Sequence, residues 1–390
     1  MRIAYFSPLP PQRSGISDYS AELLPYLAQR AEIELIVEDG FQPDAALASA
    51  FPVQSLTEFE RRWQRYDVCL YQVGNSALHA YIYKTLPVYP GITVLHEVFL
   101  HHAIADSTAW RGDFASYVRE MGYSYGIEGV RIAWAVRRGE RPYPLFTHPL
   151  NERVLDLSLG VIVHSAYARD HVLARQPHLP VAHIAHGVTL PPPMPDARAR
   201  LGLPEEALIV GSFGLVMPEK QMGLALRAFA HLRARRPEAL YLIVGEVLAS
   251  HPPLMPLIAE LGLQESVHFT GHVPDLATFT AYIAATDIAI NLRHPTVGET
   301  SGSLLRAMAG GVPAIVTDAG WYHELPEGTC LKLPPDADEA ALAEALQTLA
   351  DDVNRRQQIG AAARAYVAQT HRWEDAANAY LAFIRDVLTG

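Results

Sequence analysis

One stretch gathers residue types able to act on an anionic substrate: Ile288–Pro313, reading IAINLRHPTVGETSGSLLRAMAGGVP. Its opening, IAIN, is a short apolar run with two β-branched residues, the pattern of a buried strand. A cation at Arg293 and a carboxylate at Glu299 follow, then the small polar set Thr300, Ser301, Gly302 and Ser303. Ser303–Ala309 has helical composition, and Gly310–Gly311 stops it. Strand, glycine-bearing polar loop and helix start form the layout in which an α/β sheet presents backbone amides to an anion. A plain βα loop with a Thr/Ser cap is the competing reading. A cap, however, requires neither the arginine nor the carboxylate, so a ligand site is favoured.

A second cation comes from GSFGLVMPEK, which follows the β-rich run Leu208–Phe213 and puts Lys220 at a predicted helix start. Gly211 and Gly214 lack the spacing of a Walker A loop, and no GxGxxG follows any predicted strand. In the first half, LHEVFLHH (Leu95–His102) imitates a zinc-protease motif, but position 100 is leucine. His96 and His101 are five residues apart, about 140° round a helix, and cannot share a metal there. His96 alone, at the end of a predicted strand, is a candidate donor/acceptor facing a cleft. A buried, hydrogen-bonded core histidine is its competing reading.

The elements that must position these groups alternate in kind. β-rich runs at 2–7, 33–38, 68–73, 92–96, 161–164 and 181–185 are separated by helical segments, which argues βαβ units and a parallel sheet. The second half repeats the theme at 208–213, 241–245, 267–271, 288–291, 314–317 and 330–333. After the first strand, PLPPQRSGISDY forms a long loop in which Gly15 is the flexible point, with Ser17 or Asp18 expected to cap the next helix. The segment 106–153, rich in Tyr, Trp and Arg, reads as helices and loops elaborating one edge. Pro191, Pro192, Pro193 and Pro195 mark a stiff linker between two domains.

Composition narrows the function classes. At 390 residues, 49% hydrophobic and 19% charged, the chain can bury two cores. A formal net charge of −11, with no basic-aromatic cluster, disfavours nucleic acid as a partner. Cys69 and Cys330 lie far apart without metal-type spacing, so reduced thiols are expected. The apolar run after Met1-Arg2 is too short for a signal-peptide core, and no window reaches the length of a membrane span. A cytoplasmic location is the expectation.

Taken in order, these pieces resemble the GT-B-fold, retaining glycosyltransferases of family four, the group 1 glycosyl transferases. The resemblance covers nearly the whole chain. SPLPPQRSGISDY looks like the family's proline-glycine first loop, and LHE like its strand ending in a cleft histidine. HIAHGV (His183–Val188) is similar to the segment before the family's linker. GSFGLVMPEK resembles the segment with the donor-phosphate lysine, and GETSGSLLRAMAGGVPAIV the acidic donor signature. Two departures stand out. Leu215 occupies the place of a common phosphate arginine, and Arg306 replaces the second glutamate that takes the donor ribose.

The resemblance implies an α/β GT-B protein: two doubly wound Rossmann-like domains facing across a cleft. Residues 1–190 would form the acceptor-side domain, with 374–390 returning to it, and 191–373 the nucleotide-sugar domain. It further implies transfer of a sugar from a nucleotide diphosphate sugar to an acceptor hydroxyl with retention, and no cofactor beyond that donor. Lys220 would act as a point charge on the diphosphate and Arg293 as a bidentate clamp standing in for the missing arginine. The amides of Thr300, Ser301, Gly302 and Ser303 would meet developing negative charge, with Gly15 on the opposite loop, so that no metal is needed. Glu299 would hydrogen-bond donor-sugar hydroxyls, and His96 would contact the sugar or the β-phosphate side. The acceptor stays open among saccharide, lipid-linked and small-molecule classes, and so does a peripheral membrane contact. A GT-B-fold phosphorylase, a sugar-nucleotide epimerase or a non-catalytic sugar-nucleotide-binding protein are the competing classes.

Overall fold

In the computed structural model, which describes residues 1–249 and 251–390, the chain contains two all-parallel sheets. The first holds seven strands in the order β3-β2-β1-β4-β5-β6-β7: β1 (Arg2–Phe6), β2 (Glu32–Val37), β3 (Val53–Ser55), β4 (Val68–Val73), β5 (Ile92–Leu95), β6 (Gly160–Val163) and β7 (Val181–His183). The second holds six in the order β10-β9-β8-β11-β12-β13: β8 (Ile209–Phe213), β9 (Leu240–Val244), β10 (Val267–Phe269), β11 (Ile288–Asn291), β12 (Ala314–Thr317) and β13 (Leu331–Leu333). Central strands such as β1 and β4 are apolar and buried on both faces, as helices on both sides of a parallel sheet require. The order reverses beside β1 in the first sheet and beside β8 in the second. That makes the β1/β4 and β8/β11 pairs the switch points, where crevices open at the carboxyl ends of strands.

Contacts divide the chain into two units. The first is Met1–Gly187 with Val297–Thr300 and Trp373–Gly390; the second is Val188–Thr296 with Ser301–Arg372. The division falls after Gly187, a few residues ahead of the prolines. Pro191 belongs to the second unit, where its carbonyl accepts from Arg364 Nη2 at 3.0 Å. In the first unit, one face of the sheet packs its Ile3, Tyr5, Ile33 and Leu35 against the Trp373–Thr389 helix, which contributes Trp373, Tyr380, Leu381 and Ile384. Tyr19 and Tyr380 hydroxyls meet at 2.6 Å in that core.

Three local readings of the sequence are corrected. The first helix runs Gly15–Leu27 and is capped by Ser14, whose side chain accepts from Ile16 N, rather than by Ser17 or Asp18. Ser17 is fully buried, so its hydroxyl lies inside the fold instead of at the helix end. Gly15 is accordingly the first helical residue and not a flexible loop point. The edge strand β3 was unforeseen, because VQS is too short to show alternation. The aromatic segment lies between β5 and β6 as the helices His101–Ser107 and Phe114–Arg137, the latter broken at Gly126, with its own small core around Ile104, Tyr117, Met121 and Ile132.

Candidate donor site

The second unit brings several of the candidate groups to the carboxyl ends of β8 and β11. Ser212 Oγ, within β8, donates to the Ile290 carbonyl of β11 at 2.9 Å and ties the two strands together below the crevice. Beyond β8, Gly214 turns the chain with φ +83°, a conformation that a side chain disfavours. A Cβ built there would lie 3.2 Å from Lys220 Nζ and 3.7 Å from Ser303 Cβ. Gly214 is therefore closely approached by an ammonium and by the start of the Gly302–Ala309 helix. Lys220 Nζ donates to the Phe213 carbonyl at 2.7 Å, which aims the charge back at the end of β8.

Lys220 does not begin a helix, as its composition suggested. It closes the 3₁₀ turn Pro218–Lys220, Gln221 adopts φ +51°, and the helix starts at Met222. The Glu219 carbonyl accepts from His294 N at 2.8 Å, so the Lys220 turn and the Arg293 loop lie side by side. Arg293 is buried, and its backbone N–H donates to Thr317 Oγ1 at 3.0 Å at the end of β12. Leu215, where a phosphate arginine was missed, is half-buried beside the same turn.

The helix start is built by a small polar network. Ser301 caps it by accepting from Leu304 N at 3.2 Å, and Gly302 and Ser303 are its first two residues. Asn291, the last residue of β11, reaches Ser303 Oγ with its Nδ2 at 3.3 Å. Its Oδ1 accepts from Ser301 Oγ at 3.4 Å and from Tyr322 OH at 3.2 Å. Asn291 thus fixes both serines to the strand end, with the helix's positive pole beside the Gly214 turn. Sequence reading passed over Asn291 and Gly214. The available signals were an amide ending an otherwise apolar strand and a glycine directly after a strand. Arg306, in place of a ribose carboxylate, lies one turn into this helix and is half-buried.

The remaining candidates belong to the first unit. Glu299 and Thr300 lie on the Val297–Thr300 segment. Val297 O accepts from Val98 N and Phe99 N at 2.8 and 3.1 Å, and Gly298 (φ +81°) packs so closely that a Cβ would sit 2.5 Å from Val98 Cγ2. Glu299 is buried, with Oε2 accepting from Val297 N at 2.9 Å, and Thr300 Oγ1 donates to the His164 carbonyl at 3.3 Å. Thr300 is joined directly to Ser301, the cap of the Gly302–Ala309 helix. Gly15 is exposed at its helix start, with nothing within 4 Å of where a Cβ would be.

His96 is buried rather than presented to solvent. Its Nε2 lies 2.7 Å from Gln72 Oε1, and its ring packs 4.8 Å from Tyr19 and 5.0 Å from His164. Tyr19 also contacts His186 and Trp373, at 4.6 and 5.2 Å. Burial first, then the charges that His164, His186 and His79 would carry, hold the His96 pKa well below the ordinary imidazole value, so it is neutral at pH 7. Among the described residues no group of three or more His, Cys, Asp or Glu is arranged to hold a metal ion.

Residues 205–352 match the family described as glycosyl transferases group 1. Nearly all of the matched residues lie in the second unit. Over 191 residues the chain is 32% identical to the D-inositol 3-phosphate glycosyltransferase of Streptomyces coelicolor, covering 46% of this chain and 41% of that protein. The match thus spans less than half the length of that curated relative. The sucrose-phosphate synthase of Thermosynechococcus elongatus superposes with a TM-score of 0.72 at 19% identity, covering 99% of both chains. The Anabaena HepE protein, solved in complex with UDP-glucose, superposes with a TM-score of 0.66 at 18% identity, covering 99% of this chain and 98% of that one. With its two parallel sheets, the chain has the GT-B fold that the sequence resemblance implied. No helix among the described residues is long and apolar enough to cross a membrane.

Proposed function

We propose that this protein transfers a sugar from a nucleoside diphosphate sugar to an acceptor hydroxyl, with retention of configuration and without a divalent ion. The observation that carries this reading is the convergence of Gly214, Lys220 and the Ser301-capped helix start at the β8/β11 switch point. A diphosphate needs that combination: close backbone approach, a point charge and a helix N-terminus. In the step itself, the bond from the anomeric carbon to the diphosphate oxygen breaks, and a bond to the acceptor oxygen forms on the same face. The acceptor proton passes to the departing phosphate oxygen, so no protein nucleophile is required. Lys220, Arg293 and the Gly302 and Ser303 amides neutralise the charge left on the diphosphate. Glu299 is assigned to donor-sugar hydroxyls by the family resemblance.

The names of its relatives make UDP-sugars the first donors to test and a cyclitol phosphate one of the first acceptors. The assay is release of nucleoside diphosphate from a panel of nucleotide sugars, with and without a panel of sugar and cyclitol acceptors. Acceptor-dependent release supports transfer, whereas release that needs no acceptor refutes it in favour of epimerisation or hydrolysis. Chelation with excess EDTA should change the rate by less than about twofold. A loss above about tenfold, restored by Mg²⁺ or Mn²⁺, would assign charge neutralisation to a metal instead.

A further inference from the structure

The segment between β5 and β6 carries an indole whose setting the donor site does not explain. Trp110 is 44% exposed although it lies beside a small apolar core. Two rings pack nearly perpendicular to it: His102 at 4.8 Å and 84°, and Tyr143 at 5.6 Å and 78°. Tyr143 in turn packs 5.4 Å from Tyr117, which is fully buried with its hydroxyl 2.8 Å from His101 Nε2. The indole is therefore flanked by two rings set nearly perpendicular to it, while much of its surface meets water. An aromatic held this way has little freedom left to lose when a ligand stacks on it.

The same arrangement leads to the carboxyl end of the first sheet. His102 adjoins Ala103, whose N–H donates to Asn75 Oδ1 at 2.9 Å. Asn75 N donates to Glu97 Oε2 at 2.6 Å, just beyond β5. One asparagine thus ties the helix under the indole to a half-exposed carboxylate. The charges around Trp110 are of both signs: Arg111 and Asp106 are 4.0 Å apart, and Asp113 caps the following helix. Mixed charge and hydrogen-bonding rims do not suit an anionic bilayer surface, which favours a basic face with inserted apolar groups. They suit a polyhydroxylated ring, whose C–H face stacks on an aromatic while its hydroxyls meet the neighbouring imidazole.

We propose that Trp110, with His102 beside it, is a saccharide- or cyclitol-binding platform for the acceptor. The proposal rests on the transferase reading for its role in catalysis, but its binding test is independent of activity. Saturation-transfer NMR on the full chain would use methyl α-glucopyranoside, maltotriose and myo-inositol at millimolar concentration. The wild type should pass saturation to ring C–H protons of at least one of them. Trp110→Ala should cut that signal about 3–10-fold, and Trp110→Phe should keep at least half of it. Melting temperatures of both variants report whether the fold is intact. An unchanged signal in a folded Trp110→Ala protein overturns the platform, as does a wild type silent towards all three sugars. So does Trp110-dependent sedimentation with anionic phosphatidylglycerol vesicles when sugar signals do not depend on Trp110. If sugars bind through Trp110 but no nucleotide sugar is ever turned over, the platform stands and the transferase reading falls.

Discussion

Replacing Gly214 by alanine isolates the proposed diphosphate site with a single methyl group. At φ +83°, an L-residue costs about 1–2 kcal/mol relative to glycine. The methyl would stand 3.2 Å from Lys220 Nζ, so the ammonium must shift by a few tenths of an ångström and loosen its 2.7 Å bond to the Phe213 carbonyl. Because that neighbour is the far end of a flexible side chain, the fold absorbs the contact and the stability cost stays near the backbone figure. For a unit of this size that is a melting shift of roughly 2–8 °C. Ligand binding should suffer more. The methyl fills the space a phosphate oxygen needs and displaces the cation that would meet it. Together these should cost about 1.5–3 kcal/mol, or about 10–150-fold in nucleoside diphosphate affinity. Differential scanning fluorimetry gives the first quantity and calorimetric titration the second. A Gly214→Ala protein that melts lower but binds nucleoside diphosphate as tightly as the wild type would show that no phosphate sits against Gly214.

Two further outcomes test neighbouring parts of the account. Glu299→Gln keeps the side-chain shape but removes the charge. It should lower turnover efficiency with a nucleotide sugar about 10–150-fold while leaving free nucleoside diphosphate binding within about twofold; a collapse of nucleotide binding would move Glu299 to the ribose. Acid should destabilise the first unit through its buried imidazoles. Burial pushes His79 and His101 down to about 4, so the unfolded chain takes up protons below pH 6.5 that the folded one refuses. Their contribution is whole above pH 6.5 and declines between there and about pH 4, by roughly 2 kcal/mol each at pH 5. Urea melts at pH 7 and pH 5 measure it, and a first unit equally stable at both would refute the neutral, buried assignment.

Much of the architecture was legible because buried parallel strands are apolar runs bounded by polar punctuation. Ile288–Asn291 and Ala314–Thr317 stand where the sequence put them. What escaped depends on backbone conformations that composition does not encode. Gln221 at φ +51° separates Lys220 from the helix it was expected to start. Ser14 takes the cap in place of Ser17 because the burial of Ser17 is a tertiary fact. In the loop carrying Glu299, Val297 accepts from the backbone at Val98 and Phe99, and Ser301 and Ser303 bond to Asn291. Long-range pairing of that kind leaves no local sequence signal. His96 was read as strand-end chemistry, and only the packing of Tyr19 and three other imidazoles shows how deeply it is enclosed.

The central claim is that Lys220 and Arg293 act on one diphosphate in the second unit. Calorimetry with the tightest-binding nucleoside diphosphate from a thermal-shift panel, and with its parent nucleoside, tests it in the wild type, Lys220→Ala, Arg293→Ala and the double variant. Each single change should weaken the diphosphate by about 1.5–3 kcal/mol and leave the nucleoside nearly untouched. The double variant should lose less than the sum, because the two cations share a partner. Equal losses for nucleoside and nucleoside diphosphate would contradict the claim and reduce Arg293 to a brace for its own loop.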